Sequence, residues 1–309
     1  MMLKPRAVRP GDRIALVAPA SPFSREAFEA GVAELRRLGY EPTYQQSVFA
    51  RHRYTAGHPE VRAAAFREAW SDPSVGAILA VRGGYGSVQI LPLLDEDEIR
   101  RTPKAFIGYS DTTSLLTWLT GRCGIVSFHG PMIEGRFEKG SAGYDLDSFS
   151  RVLTRPQPAG PITHPQVVAL QNGEEAGVLL GGTLTQLVAS LATPYAFDPP
   201  RGHILFIEEV AERPYRIDRM MTQLALSGLL ARAAAIVFGE MPRCDEPGDG
   251  GPAIKDVLMD LVAGFRGPVL FGLPSGHTTG AILTLPFGVR ARVVTKPQPA
   301  LIIEESAVA

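Results

Sequence analysis

The segment FIGYSDTTSL (106–115) sets Ser110 behind an apolar pair and a glycine, ahead of a run of small polar residues. A serine in that setting can do two things. It can cap a helix, because serine and aspartate oxygens accept the unpaired amides of a first turn. It can also stand exposed in a tight strand-to-helix turn and attack a carbonyl, with its own or the next N–H holding the oxyanion. The hydrolase pattern GxSxG is broken here, since Thr112 replaces the second glycine. Read alone, Ser110 is a capping residue; the catalytic reading requires a base.

Six histidines are available. His277 lies in LPSGHTTGA, a loop after an apolar strand, and loops of that composition carry function more often than packing. His129, in SFHGP, follows a strand near a sheet end. His52 and His58 fall in a polar, solvated loop, His164 lies among prolines and His203 begins a strand. No histidine pair has HExxH spacing, so a metal site is not expected. Glu208 and Glu209 end the apolar run ILFIEEV, a costly place for carboxylates unless one is paired or solvated. One of them can orient a histidine and stabilise its imidazolium. The bland reading, which composition favours, is an ion pair with Arg213 or Arg216.

RGGYG (82–86) places three glycines after another apolar strand, so backbone can approach a ligand and aim amides at negative charge. Neither GxGxxG nor GxxxxGK[ST] is present, and no nucleotide cofactor is expected. What remains is an ordinary tight turn or a backbone donor to an oxyanion.

These residues need a scaffold, and the chain supplies alternating elements. Strands are expected at 13–19, 41–48, 75–84, 104–110 and 124–131. Helices are expected at 25–38, closed by Gly39, at 59–70, at 89–94 and from Asp111 to Gly124. Such alternation implies a parallel sheet covered on both faces, with ligands beyond the carboxyl ends of its strands. RGGYG and GYSDT both fall at strand ends. Residues 136–168, rich in proline, glycine and charge, read as an extended connector. The second half resumes with strands at 167–170, 177–182, 203–209, 234–240 and 269–277, and at RARVV and ALIIEE. Helices are expected at 183–191, 222–230 and 254–264. That mixture predicts a second α/β domain with a mixed sheet.

The 309 residues suffice for two ordinary domains. Their 45% hydrophobic and 20% charged content is that of a globular protein with a sizeable core. With 31 basic and 32 acidic residues the net charge is -1, which gives no footprint for nucleic acid or an anionic membrane. No apolar run is long enough for a signal segment or a membrane span. Cys123 and Cys244 lack ligand spacing and read as two reduced thiols in a cytoplasmic protein.

Taken together, VRGGYG, FIGYSDTTSLL, GGTLTQLVASLATPY, LFIEEVAERPYRIDRMM and LPSGHTTGAILTLPFG resemble the LD-carboxypeptidase family of serine peptidases, which includes the microcin-immunity peptidases. The five motifs occur in the family's order, and the resemblance begins at GDRIALVAPASP. It implies a flavodoxin-like N-terminal domain (1–135), the connector (136–168) and a smaller α/β domain (169–309), with the site between them. Carried over, the triad is Ser110, Glu208 and His277, and the oxyanion donors are the backbone amides of Gly84 and Asp111. The family often has Glu-Asp where this chain has Glu208-Glu209. Strand alternation lets only one of the two face His277, and Glu208, the first acid of the motif, is taken.

The resemblance further implies no cofactor or metal, a cytoplasmic homodimer and a small peptide or muropeptide substrate. The reaction would be release of terminal D-alanine from a murein tetrapeptide. Cleavage of a peptidyl- or aminoacyl-nucleotide amide is the alternative within the family. A non-catalytic protein holding a small anion at the sheet end is the alternative of another class.

Overall fold

The apolar runs of the first half become strands because both faces of the sheet they form are covered. The computed structural model describes residues 2–248 and 250–309. The first half runs β1 (Arg13–Val17), α1 (Arg25–Arg37), β2 (Glu41–Thr43), α2 (Pro59–Ser71), β3 (Val75–Ala80), α3 (Glu96–Arg101), β4 (Ala105–Gly108), α4 (Thr113–Gly121) and β5 (Ser127–His129). There follow α5 (Leu146–Thr154), β6 (Gly160–Ile162), β7 (Val168–Gln171), β8 (Glu174–Thr183), α6 (Leu184–Ser190) and β9 (His203–Glu208). Next come α7 (Pro214–Leu226), α8 (Leu229–Arg232), β10 (Ala233–Gly239), α9 (Ile254–Leu261) and β11 (Val269–Leu273). Strands β12 (Leu285–Phe287), β13 (Arg290–Val294) and β14 (Ala300–Ile303) complete the order.

Among the described residues these strands form two sheets. The first has the order β12-β5-β4-β3-β1-β2. All its pairings are parallel except β12 against β5. From β2 to β5 that is the flavodoxin-like order, and its crevice opens at the carboxyl ends of the strands. All six residues of β3, VGAILA, are buried, which is why it reads as a continuous apolar run. Helix α1 begins where the Ser24 hydroxyl accepts the Ala27 amide at 3.3 Å. It buries Phe28, Val32 and Leu35, one stripe at helical spacing. The carboxyl ends of β1, β3 and β4 carry the loops at Ser21, at 82–86 and at Ser110.

The second sheet has the order β6-β14-β13-β8-β9-β10-β11-β7, parallel from β8 to β11 and antiparallel toward both edges. This is the mixed sheet that the second half's strand pattern predicts.

Several expectations change. The helix at 89–94 is a 3-10 turn over Ser87–Leu93 with Pro92 inside it, and the strand at 269–277 stops at Leu273. The strand at 41–48 stops at Thr43, and a 3-10 turn covers Gln46–Phe49. Pro42 lacks a ladder donor and stands on the sheet's edge, while Tyr44 and Phe49 turn to pack their rings on Phe28, centroids 4.8 and 5.1 Å away. The connector is not simply extended. It holds a 3-10 turn at Phe137–Ala142, then α5 and β6. An apolar face of Phe149, Val152 and Leu153 builds α5, and the cluster of prolines begins only after it. The helical pattern at 222–230 is the tail of α7, which starts at Pro214, a residue suited to a first helical position. Finally, β12 leaves the second half to pair with β5, burying Leu285 and Phe287 and covering that edge of the first sheet.

Candidate active site

Ser110 sits where β4 gives way to α4. Its φ of +64° is left-handed, a strained conformation for a residue with a Cβ, costing on the order of 1–3 kcal/mol. A 3-10 turn over Ser110–Thr112 leads into the helix. Neither that turn nor α4 has a side-chain cap, so the hydroxyl does not perform the capping role that the local sequence suggests. Strand, strained serine and helix are the parts of a nucleophile elbow, in which the turn pushes the hydroxyl outward. Ser110 is half-buried.

The glycine turn lies directly on this serine. A Cβ on Gly83 would come within 2.8 Å of the Ser110 Cβ and 2.9 Å of its Oγ, and 3.4 Å from the Asp111 nitrogen. Only glycine allows that approach. Ser87 ties the turn down: its amide donates to the Asp111 carboxylate at 2.8 Å and its hydroxyl to the Asp111 carbonyl at 2.6 Å. From the other side, Arg62 donates to the carbonyls of Gly86 at 2.7 Å and Gly57 at 3.1 Å. Gly84 and Asp111 therefore lie in two backbone segments that frame Ser110. The Asp111 amide belongs to a first helical turn, where amides lack intrahelical partners.

Glu208, at the carboxyl end of β9, is fully buried. Its Oε2 accepts the His277 ring Nδ1–H at 2.7 Å and the His277 backbone amide at 2.8 Å. The Thr183 hydroxyl donates to Oε1. Thr183 is the register partner of Glu208 on the neighbouring parallel strand, so β-sheet pairing itself delivers this donor. Burial pushes the Glu208 carboxyl up, but His277 above all, helped by the Thr183 hydroxyl, outweighs it and the group is held at about 2. Burial likewise pulls the His277 imidazolium down, and the Glu208 carboxylate reverses this, leaving its pKa raised. With Nδ1–H donated to the carboxylate, Nε2 is the ring atom free to take a proton. The loop fits only because position 276 is glycine: φ is +80°, and a Cβ would lie 2.5 Å from the Glu208 Cδ.

Glu209 points elsewhere, to the Thr185 amide and hydroxyl at 2.9 and 2.6 Å. The ion-pair reading fails for both glutamates, because Arg213 pairs with Glu246 and Arg216 with Glu212. His129 is also buried. Its Nδ1 lies 3.0 Å from the Ser275 hydroxyl, which donates to the Leu283 carbonyl, and its Nε2 lies 4.0 Å from Glu208 Oε1. Burial pulls its pKa to about 4 and keeps it neutral. His52 and His58 stack on each other, centroids 3.8 Å apart. The two cysteines are unpaired.

Contacts from the second half reach each neighbour of Ser110. The Tyr109 and His277 rings meet edge to face at 5.1 Å, Gln186 Nε2 donates to the Asp111 carboxylate at 3.3 Å, and the Thr183 amide donates to Thr113 Oγ1 at 3.1 Å. The hydrogen bonds of the His277 ring go to Glu208, and none joins it to the Ser110 hydroxyl. Such bonds often tighten only with substrate. Thr183, Ser87, Arg62 and Gln186 carry no signal in the sequence: each is an ordinary polar residue whose partner is distant along the chain.

A strained serine whose preceding residue packs on the ring of a buried Glu–His pair is an arrangement that can support nucleophilic hydrolysis. Residues 14–130 match the LD-carboxypeptidase N-terminal domain and residues 176–293 the LD-carboxypeptidase C-terminal domain. The chain belongs to this family of peptidases. It is 38% identical to a Streptomyces coelicolor protein that bears a carboxypeptidase name, over 97% of this chain and 98% of that one. It is 33% identical to the probable murein peptide carboxypeptidase of Bacillus subtilis, over 97% and 94%. The solved structure of the microcin self-immunity protein MccF with glutamyl sulfamoyl guanosine superposes with a TM-score of 0.91 at 26% identity, covering 99% of this chain and 100% of that one. No described helix is long and apolar enough to cross a membrane.

Proposed function

We propose that this protein is a serine-type LD-carboxypeptidase that releases the terminal D-alanine of a murein tetrapeptide, with Ser110, Glu208 and His277 as its triad. The observation that carries the reading is the 2.7 Å bond from His277 Nδ1 to a buried carboxylate, with the His277 ring against Tyr109, the residue before a serine held at positive φ. In the reaction, His277 Nε2 takes the Ser110 proton while Oγ attacks the scissile carbonyl carbon. The amides of Gly84 and Asp111 donate to the oxyanion, a contribution of about 3 kcal/mol per donor in comparable sites. The imidazolium, stabilised by Glu208, then protonates the leaving amine of D-alanine. A water, deprotonated by His277, releases the acyl group and restores Ser110. The parts come from two lobes, 1–135 and 169–309, joined by 136–168, so their packing assembles the site.

Mass spectrometry of muropeptide tetrapeptide incubated with the protein tests this. The expected result is loss of one terminal D-alanine, absent with Ser110→Ala; unchanged tetrapeptide, or equal turnover by the variant, overturns it. The match to MccF favours one second reading, cleavage of an aminoacyl-nucleotide amide, and an aminoacyl sulfamoyl nucleoside offered in parallel separates the two. Stabilisation by a small anion with no amidase activity on either substrate would mark a binding protein. The reading also includes a cytoplasmic homodimer, which light scattering and cell fractionation address.

A further inference from the structure

Arg136 is a charged side chain only 6% exposed, and it contacts both halves of the site at once. Its Nε donates to the Tyr109 hydroxyl at 3.2 Å, on the residue immediately before Ser110. Its Nη2 donates to the carbonyls of Gly276 at 2.9 Å and Thr278 at 3.2 Å, on either side of His277. Its Nη1 donates to the Gly280 carbonyl at 2.9 Å. The guanidinium carbon also lies 5.6 Å from the centre of the Tyr109 ring, whose edge meets the His277 ring.

The His277 loop, SGHTTGA, has little apolar side chain with which to pack. Its conformation must come from hydrogen bonds, and three of its carbonyls converge on one guanidinium. Resting on the peptidase reading, we propose that Arg136 is a positioning residue for hydrolysis: it clasps the His277 loop to the nucleophile turn and holds base and serine in register. The planar fork is essential, because a lysine offers three donors from one point and cannot reach the tyrosine hydroxyl and three carbonyls together. Arg136 is itself anchored. The 3-10 turn that follows packs on α1, and the Gly143 backbone sits so close to the Arg136 carbonyl that no side chain fits there.

The clasp has an electrostatic consequence. The charged groups acting on His277 are Glu208 and Glu209, which favour its protonation, and Arg136, which opposes it; neutral His129 and Tyr109 complete its surroundings. Removing the Arg136 charge must therefore raise the imidazole pKa and move the acid limb of kcat/KM to higher pH.

The test compares Arg136→Gln, Arg136→Lys and Tyr109→Phe. Misplacement of a catalytic group by an ångström costs about 100-fold, so Arg136→Gln should lower kcat by about that factor, with KM changed less than about threefold. Its acid limb should shift upward; that of Arg136→Lys should stay in place while kcat falls. Tyr109→Phe removes one partner only, and should lower kcat less than either arginine variant. A purely structural role would lower the fraction of active enzyme without moving the limb. Should Arg136→Gln not fold, the lysine and phenylalanine variants carry the test, and wild-type kcat in both overturns the clasp. NMR titration of His277 in a Ser110→Ala background reads the effect without turnover. If wild-type protein cleaves no amide, the peptidase reading fails, while an upward His277 shift in Arg136→Gln still supports the clasp. If wild-type protein cleaves and Arg136→Gln keeps its kcat and acid limb, the clasp alone is wrong.

Discussion

Glu208→Gln removes one charge from the centre of the site while keeping the side chain's size. In the wild type, Oε2 accepts both the ring Nδ1–H and the backbone amide of His277, and Oε1 accepts from Thr183. A glutamine oxygen can still take the place of Oε2, so the ring keeps its tautomer and most of its orientation. What disappears is the stabilisation of the imidazolium that forms when Ser110 loses its proton. A hydrogen bond to a charged group is worth about 1.5–3 kcal/mol, and two charges about 4 Å apart interact by about 4 kcal/mol at an effective dielectric of 20. At about 1.4 kcal/mol per decade, kcat should fall by about 10–1,000-fold. The pH profile moves as well. Burial lowers the His277 pKa and Glu208 reverses that, so without the Glu208 carboxylate only the more distant Glu209 opposes burial and the acid limb of kcat/KM must shift downward. Steady-state hydrolysis of tetrapeptide from pH 4.5 to 9 measures both effects. An activity within threefold of wild type, or an acid limb that stays or rises, refutes the role assigned to Glu208.

The same pair sets a stability window. The depressed Glu208 contributes above its ordinary value of 4.5 and loses this as pH falls toward about 2, whereas the raised His277 contributes below 6.5 and loses it as pH rises through its folded value. Thermal melts of wild type and Glu208→Gln should therefore differ most between about pH 4.5 and 6.5. Ser110→Gly should abolish turnover yet raise Tm by about 2–4 °C, because relief of 1–3 kcal/mol of strain exceeds the glycine entropy cost of about 0.5–1 kcal/mol; a lower Tm by calorimetry would contradict the strain. Gly83→Ala places a methyl 2.8–2.9 Å from the Ser110 side chain, and should cost about 1–3 kcal/mol in denaturant melts and at least about 100-fold in kcat. Wild-type values for both would show that the glycine turn does not press on the serine.

Much of this protein is local physics and therefore legible in the chain. The first sheet's strands announce themselves because burial on both faces demands uninterrupted apolar runs, VGAILA above all. Helix α1 declares its stripe and its closing glycine, and FIGYSDTT declares a strand-to-helix turn with a serine in it. Alternation along ILFIEE also dictates that only one of two adjacent glutamates can face any given partner. Which one does so, and whether Ser110 caps a helix or stands strained and uncapped, is decided by contacts that no local pattern encodes. His277 meets Glu208 across 69 positions, Thr183 meets Thr113 across 70, and Arg136 meets Gly280 across 144. The segment around Arg136 reads as mere connector because a buried arginine looks like an exposed one until its four acceptors converge. Strand β12 is invisible for the same reason: three residues have no period, and only the open edge of β5 makes them a strand. Propensity and periodicity act over a few residues, whereas register, burial and charge pairing exist only once distant segments have packed.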